Sequence, residues 1–351
     1  MITKELFGNM PTGEEVFAYT ITNNSGASMK VLTLGGIIQQ LNVPDRDGKM
    51  GDVILGYDDV NGYLIGGGNH GALIGRYGNR IAEGRFTLNG VTYQLAQNSS
   101  NNNHLHGGKV GFNEKLWDAT AFEKADSVGV ILTYTSADGE ENYPGKLNVK
   151  VTYTLSDNNE LSIRYEAVSD KDTICNLTNH SYFNLTGDAS KSILDELLCI
   201  DSDAITAVDH RLITTGELMP VKGTAFDFTT PTRIGEHIDD DDQQIAFGGG
   251  FDHNYVLKTD GKLAKFAELS DNSTGRVMTC YTDQPGVQFY AGNQMKASYP
   301  MKGGVKQEPR HGICLETQHA PDSPNRPEFP TTTLKAGEKY DTTTIYAFSV
   351  R

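Results

Sequence analysis

The sequence is poor in cysteine, in basic residues and in long apolar runs. Its four cysteines, Cys175, Cys199, Cys280 and Cys314, stand far apart and form no C-x-x-C pair. That excludes a structural zinc knuckle and a dense disulfide framework. Cys175 and Cys314 sit in strand-like apolar text and are expected to be buried, reduced thiols. Thirty Lys and Arg against 45 Asp and Glu leave a net charge of −15. Such a surface repels nucleic acid and anionic lipid, so neither is expected as a partner. No stretch approaches the ~20 apolar residues of a membrane span. The opening MITKELFGNMPTGEEVFAYTITN lacks the basic start and apolar run of a signal peptide. The chain is therefore expected to be soluble and cytoplasmic, with its N-x-S/T matches fortuitous. Neither a monomer nor a homodimer is favoured.

Helical periodicity is scarce as well. The best candidates are short, residues 58–64 and 233–244, the second carrying an acidic run at 239–242. Period-two alternation dominates instead. In LNVKVTYTL, Leu147, Val149, Val151, Tyr153 and Leu155 face one way and polar groups the other; after SDNNE, LSIRYEA resumes the pattern. This predicts a hairpin with one wet and one dry face. FTLNGVTYQL predicts another, because Asn89-Gly90 tolerates the positive φ of a tight turn; Leu88 should then oppose Val91, and Phe86 oppose Tyr93. There are no repeats, linkers or compositional breaks. Residues 1–351 are read as one all-β domain, a large antiparallel β-sandwich with a few short helices.

Nine histidines are few, yet four fall in unusual text: His104 and His106 in NNNHLHGG, His180 in CNLTNHSYFNL, His253 in GGGFDHNYVL. Glu316 ends the apolar run GICLE, either as a solvated strand end or as a buried carboxylate that needs partners. Asn176, Thr178, His180 and Tyr182 would share one strand face, a stripe suited to a polyhydroxylated ligand. Asn79 and Arg80 follow a glycine-bracketed aromatic. H-x-H on a strand would put both imidazoles on one face, as a metal site requires. No compact ligand cluster follows in the sequence, so no metal is expected.

These segments carry a resemblance. NNNHLHGGKVGFNEKLW is similar to the N-x-x-x-L-H-G-G-x-x-G-F…W segment of the aldose 1-epimerases, the galactose mutarotase family. LTLGGIIQQLNVPDRDGKMGDVILGYDD, CNLTNHSYFNL, GGGFDHNYVL, QPGVQFYAGN, GICLETQHAPDSPN and the closing YDTTTIYAFSV resemble its other segments, in the family's order. The resemblance implies a supersandwich fold and interconversion of the α and β anomers of free hexoses such as galactose and glucose, without metal or cofactor. It implies Glu316 as general base, His180 as general acid and His106 as a further catalytic histidine. Arg80, Asp252, Asn79 and Gln288 are implied to hold sugar hydroxyls; His104 receives no role. Ring opening takes a proton from the anomeric hydroxyl and gives one to the ring oxygen, so one base and one acid must act together. An ionised Glu316 close by is expected to favour a protonated His180. Two other readings stay open: a catalytically silent sugar-binding protein on the same scaffold, and a metal-dependent β-sandwich enzyme.

Overall fold

The computed structural model describes residues 1–296 and 298–351. Alternating apolar residues build its largest element, a nine-stranded antiparallel sheet. Asp118–Glu123, Ser127–Ser136, Leu147–Ser156 and Glu160–Ser169 follow one another across it; then comes the chain's last strand, Lys339–Val350; then Arg276–Thr282, Ala264–Ser270, Leu197–Ile200 and Thr232–Arg233. The expected hairpin forms at 147–169, with Leu155 opposite Leu161 and Val149 opposite Ala167. Leu147, Val149, Val151, Tyr153 and Leu155 are all buried, while Asn148 and Lys150 are exposed. This sheet therefore has one dry face and one wet face.

Two five-stranded sheets cover the dry face. One is the N-terminal meander from Ile2–Asn9 to Met50–Asp52. The other runs Thr214–Pro220, Ala204–Val208, Asp252–Val256, Gly286–Tyr290, Cys314–Gln318. All three sheets share one hydrophobic cluster, with Met29 and Val31 from the first, Ile205, Phe289 and Leu315 from the second, and Tyr153 and Phe348 from the large sheet. Isolated bridges from Phe183 to Ile54 and to Ile313 stitch the two smaller sheets together. The expected all-β sandwich is thus observed. The four cysteines form no disulfide, and Cys175, Cys280 and Cys314 are buried. Among the described residues, no helix is long and apolar enough to cross a membrane.

The Asn89-Gly90 hairpin closes as expected, Leu88 opposite Val91 and Phe86 opposite Tyr93, with the latter rings stacked at 5.1 Å. The first expected helix forms at Val60–Ile65, where the Asp59 carboxylate caps the Gly62 N–H at 2.8 Å. The second is displaced. Residues 233–244 hold only the 3₁₀ turn Ile234–Glu236, and the α-helix begins where the expectation ended, at Gln243–Gly248. The acidic run explains the shift. Asp242 caps the helix from outside it, and Asp239 is drawn off to Arg310 at 2.6 Å.

Candidate active site

The site lies where loops meet the strand Cys314–Gln318. A carboxylate on an apolar strand is costly to bury, and Glu316 is nevertheless only 2 % exposed. Its Oε1 stands 3.6 Å from His180 Nε2, and its Oε2 has no partner among the described residues. An acceptor kept dry and unpaired is poised for a ligand's hydroxyl. Of the two readings left open for Glu316, burial is the one observed.

His180 comes from the segment between Cys175 and Leu185. Its main chain is pinned by an N–H···O bond to Ala72 at 2.9 Å, and its Nδ1 lies 3.5 Å from the Cys314 thiol. The polar stripe expected here is buried throughout rather than solvated: Asn176, Thr178, His180 and Tyr182 are each 5 % exposed or less. Of the four, His180 and Tyr182 line the pocket.

The H-x-H expectation fails. His104 lies in a two-residue strand and His106 just beyond it at φ +51°, so the imidazoles do not share a face. His104 turns into the core and bonds the Tyr143 hydroxyl at 2.5 Å and the Ala96 carbonyl at 2.8 Å. His106 turns into the pocket, its ring 5.1 Å from that of His180. The glycines after it are required. A Cβ on Gly107 would sit 1.8 Å from the Gly75 carbonyl oxygen, and Gly108 holds φ +118°. The Asn79 N–H donates to His106 Nδ1 at 3.1 Å. In the neutral ring that fixes the proton on Nε2, which makes His106 a hydrogen-bond donor on its other side.

Arg80 and Asp252 form the opposite wall, paired at 3.5 Å with side chains 15 % and 12 % exposed. Asn79 supplies Oδ1 to the Arg80 main-chain N–H at 2.9 Å. Gln288 is not part of the wall. Its amide donates to Asp252 Oδ1 at 2.7 Å and accepts from Gln318 at 3.4 Å, which places it behind Asp252. Register puts Gln288 between Asn254 and Glu316, one strand from each. His253 faces inward against Phe226, 4.7 Å between rings.

Sequence reasoning missed part of the pocket. The stretch Gly66, Gly67, Gly68, Asn69 and His70 lines it, as do Tyr290 and Lys296. The signal was available, since GGGNHG has the same glycine-rich, polar text that drew attention to NNNHLHGG. His70 stacks on Tyr182 at 4.4 Å, so it props that ring from beneath. The cavity measures about 370 Å³, within the ~300–1,000 Å³ usual for small-molecule sites.

Burial governs the electrostatics. It pushes the Glu316 carboxyl well above the carboxylate range, with Asp252 adding to the rise and Arg80 opposing it. It pulls His180 down to about 4, and lowers His106, further disfavoured by His180 and Arg80. Burial thus opposes the protonated His180 beside an ionised Glu316 that proximity favours. It favours the neutral pair over the charged one. The two forms hold the same single proton and differ only in which residue carries it.

The compact donor cluster that the sequence appeared to lack is also present. One atom each from His106, His180 and Glu316 lie within 4.8 Å of one another, close enough to hold a divalent ion. It escaped notice because its members lie 74 and 136 residues apart in sequence.

Comparison with known proteins accords with this geometry. The aldose 1-epimerase family pattern matches residues 18–347. The galactose mutarotases of Bos taurus and Homo sapiens are each 43 % identical over 99 % of both chains. The aldose 1-epimerase of Escherichia coli K12 is 35 % identical over 96 % of each. The crystal structure of a galactose 1-epimerase from Lactobacillus acidophilus superposes with a TM-score of 0.87 at 29 % identity, covering 100 % of this chain and 99 % of that one. Similarity of this extent, along essentially whole lengths, leaves one assignment: the chain belongs to the aldose 1-epimerase family.

Proposed function

We propose that the protein interconverts the α and β anomers of free hexoses, galactose and glucose among them, by ring opening and reclosure in the cytoplasm. The observation that carries this reading is the dry Glu316–His180 pair at 3.6 Å on the floor of a hexose-sized pocket. The anomeric hydroxyl and the ring oxygen hang on one carbon, so the groups that take and give the proton must be neighbours.

In the forward step Glu316, as carboxylate, removes the proton of the anomeric hydroxyl while His180, as imidazolium, protonates the ring oxygen. The C–O bond breaks, and an aldehyde and a free hydroxyl result. The pair is left as neutral acid and neutral imidazole. Rotation about the bond to the aldehyde carbon presents its other face, and the same two protons return as the ring closes. Charge in the pocket is conserved throughout, which suits a site that burial holds away from net charge. Because burial favours the neutral pair, it lowers the cost of the open-chain state relative to the closed one. His106 Nε2–H donates to the ring oxygen or an adjacent hydroxyl. Arg80 and Asp252 orient the remaining hydroxyls, with Asn79 Oδ1 accepting from Arg80 Nη1 and the Gln288 amide donating to Asp252.

The test is polarimetry on freshly dissolved α-galactose and α-glucose with purified protein, with and without a chelator. Accelerated approach to equilibrium rotation, unchanged by chelation, is expected. Activity abolished by chelator and restored by zinc would replace this mechanism with a metal-dependent one at the same three residues. Binding without acceleration would indicate a silent sugar-binding protein.

A further inference from the structure

The strands that build the active site have a second end. Register sets Asp252 beside Tyr290 and Cys314 at the catalytic end, and Val256 beside Gly286 and Gln318 at the other. At that other end lies a cavity of about 600 Å³, larger than the active-site pocket. No step of the proposed reaction uses it.

Its lining is polar in an unfinished way. Thr206 and Gln284, 1 % and 2 % exposed, both line it, and Thr206 Oγ1 and Gln284 Oε1 have no hydrogen-bond partner among the described residues. Thr342 Oγ1 and His319 Nδ1, on the same lining, are also unpartnered among the described residues. A buried polar atom left unpaired costs about 1–3 kcal/mol, and four around one cavity mark a place that a ligand's polar groups complete. The unpaired set comprises one obligate acceptor, the glutamine oxygen, and three groups able to donate or accept. Hydroxyl groups, which do both, match it.

Charge narrows the choice. No Lys or Arg lines this cavity, which disfavours phosphates and carboxylates as ligands. Four carboxylates are on the described lining, Asp260, Asp283, Glu328 and Asp341, and two of them are engaged. Asp341 pairs with Arg164 and Lys339 at 2.7 Å each, and Asp283 accepts the Thr343 N–H at 3.1 Å. Asp260 and Glu328 are exposed, so their charge is screened by water. Val256, Leu257 and Phe329 supply an apolar wall on which the C–H face of a pyranose can lie. A chain of amides joins the two ends beneath the sheet: Gln288 to Asp252, Gln318 to Gln288, and Gln318 to Asn254 at 3.3 Å, Asn254 being part of the second lining.

We propose that this second cavity is a binding site for a neutral saccharide, with a ring against Phe329 and its hydroxyls on Thr206, Gln284 and Thr342. The inference stands on the cavity itself and does not depend on the catalytic reading of the first pocket. Equilibrium dialysis of the intact protein against labelled methyl β-galactoside, which has no free anomeric hydroxyl, tests it. Two equivalents per chain are expected at saturation. Thr206→Val removes one hydroxyl without changing volume, and Thr342→Val does the same at a partly exposed position where folding is not at risk. Each is expected to lose one equivalent through at least tenfold weaker binding, with polarimetric kcat within twofold of the parent. Sugar binding identical in parent and both folded variants would overturn the proposal.

Discussion

Acid should unfold this protein before it titrates the surface carboxylates. Burial holds His104, His180, His253 and His319 at about 4 and His70 at about 3, and lowers His106 as well. In the unfolded chain each takes up a proton near the ordinary ~6.5. Carboxylates oppose the trend: burial raises Glu196 and Glu316 well above their ordinary range and lifts Glu114, Asp283 and Asp322 too, so the folded state keeps protons the unfolded chain releases, and the count from the first two alone is an upper bound. Six histidines against two glutamates leave the unfolded state richer by about four protons between pH 6 and 5. At ~1.4 kcal/mol per proton and pH unit, stability falls by about 5 kcal/mol for each unit of acidification. The histidine contribution is intact above ~6.5 and is lost as pH falls towards the folded values near 4. Against a usual total of ~5–15 kcal/mol, such a slope exhausts the stability within about one to three units below ~6.5. Trp117, the chain's one tryptophan, is 3 % exposed and packed on Phe112 and Tyr134, so its fluorescence reports the core. Fluorescence and mutarotation rate, measured side by side from pH 8 to 4, should disappear together and with a slope of several protons. A one-proton loss of activity near pH 6.5 with native fluorescence would refute the reasoning, since His180 would then titrate as an exposed imidazole. So would native fluorescence persisting down to pH 4.

Four further outcomes are expected. Glu316→Gln and His180→Asn should each lower kcat by ~10²–10⁴ with small changes in KM, and the double variant should lose less than the product because the groups act in one step; polarimetry on all three decides. Arg80→Ala and Asp252→Ala should raise KM for galactose as well as lower kcat, whereas Gln288→Leu should do so more mildly, since it acts through Asp252; a KM series reads this. His104→Ala leaves the Tyr143 hydroxyl unpaired in a buried site, so it should cost about 2–4 kcal/mol in urea unfolding while kcat stays near the parent's. Hexose 6-phosphates should turn over poorly beside the free sugars, because Arg80 is already engaged by Asp252 and Lys296 is the other basic side chain on the pocket lining.

Much of the framework is legible in the sequence because strands advertise themselves locally. The 147–169 hairpin and the Asn89-Gly90 turn are written in adjacent residues, and their register follows from alternation alone. What escapes is decided at a distance. Whether Glu316 is wet or dry depends on His180, Tyr182 and Asp252 arriving from other segments. NNNHLHGG reads as two equivalent imidazoles until the close approach of Gly107 to Gly75 turns His106 away from His104. Gln288 resembles a ligand contact, but strand register sets it behind Asp252. The helix expected over 233–244 lies at 243–248 because Asp242, at the end of the acidic run, is its cap.

The position of the last strand bears on how the protein is made. Lys339–Val350 is the twelve-residue strand that lies in the middle of the large sheet, between Glu160–Ser169 and Arg276–Thr282. During synthesis, then, the two halves of that sheet face each other across a gap with unpaired edges, and such edges are sticky. The gap can close only when residues 339–350 have left the ribosome. Tyr346 contributes to that closure from within the strand, its hydroxyl donating to the Leu315 carbonyl one residue before Glu316. The nascent chain thus carries the side chains of the proposed site well before this strand can brace them, and a chain ending before residue 339 is expected to lose a site that the strand does not line.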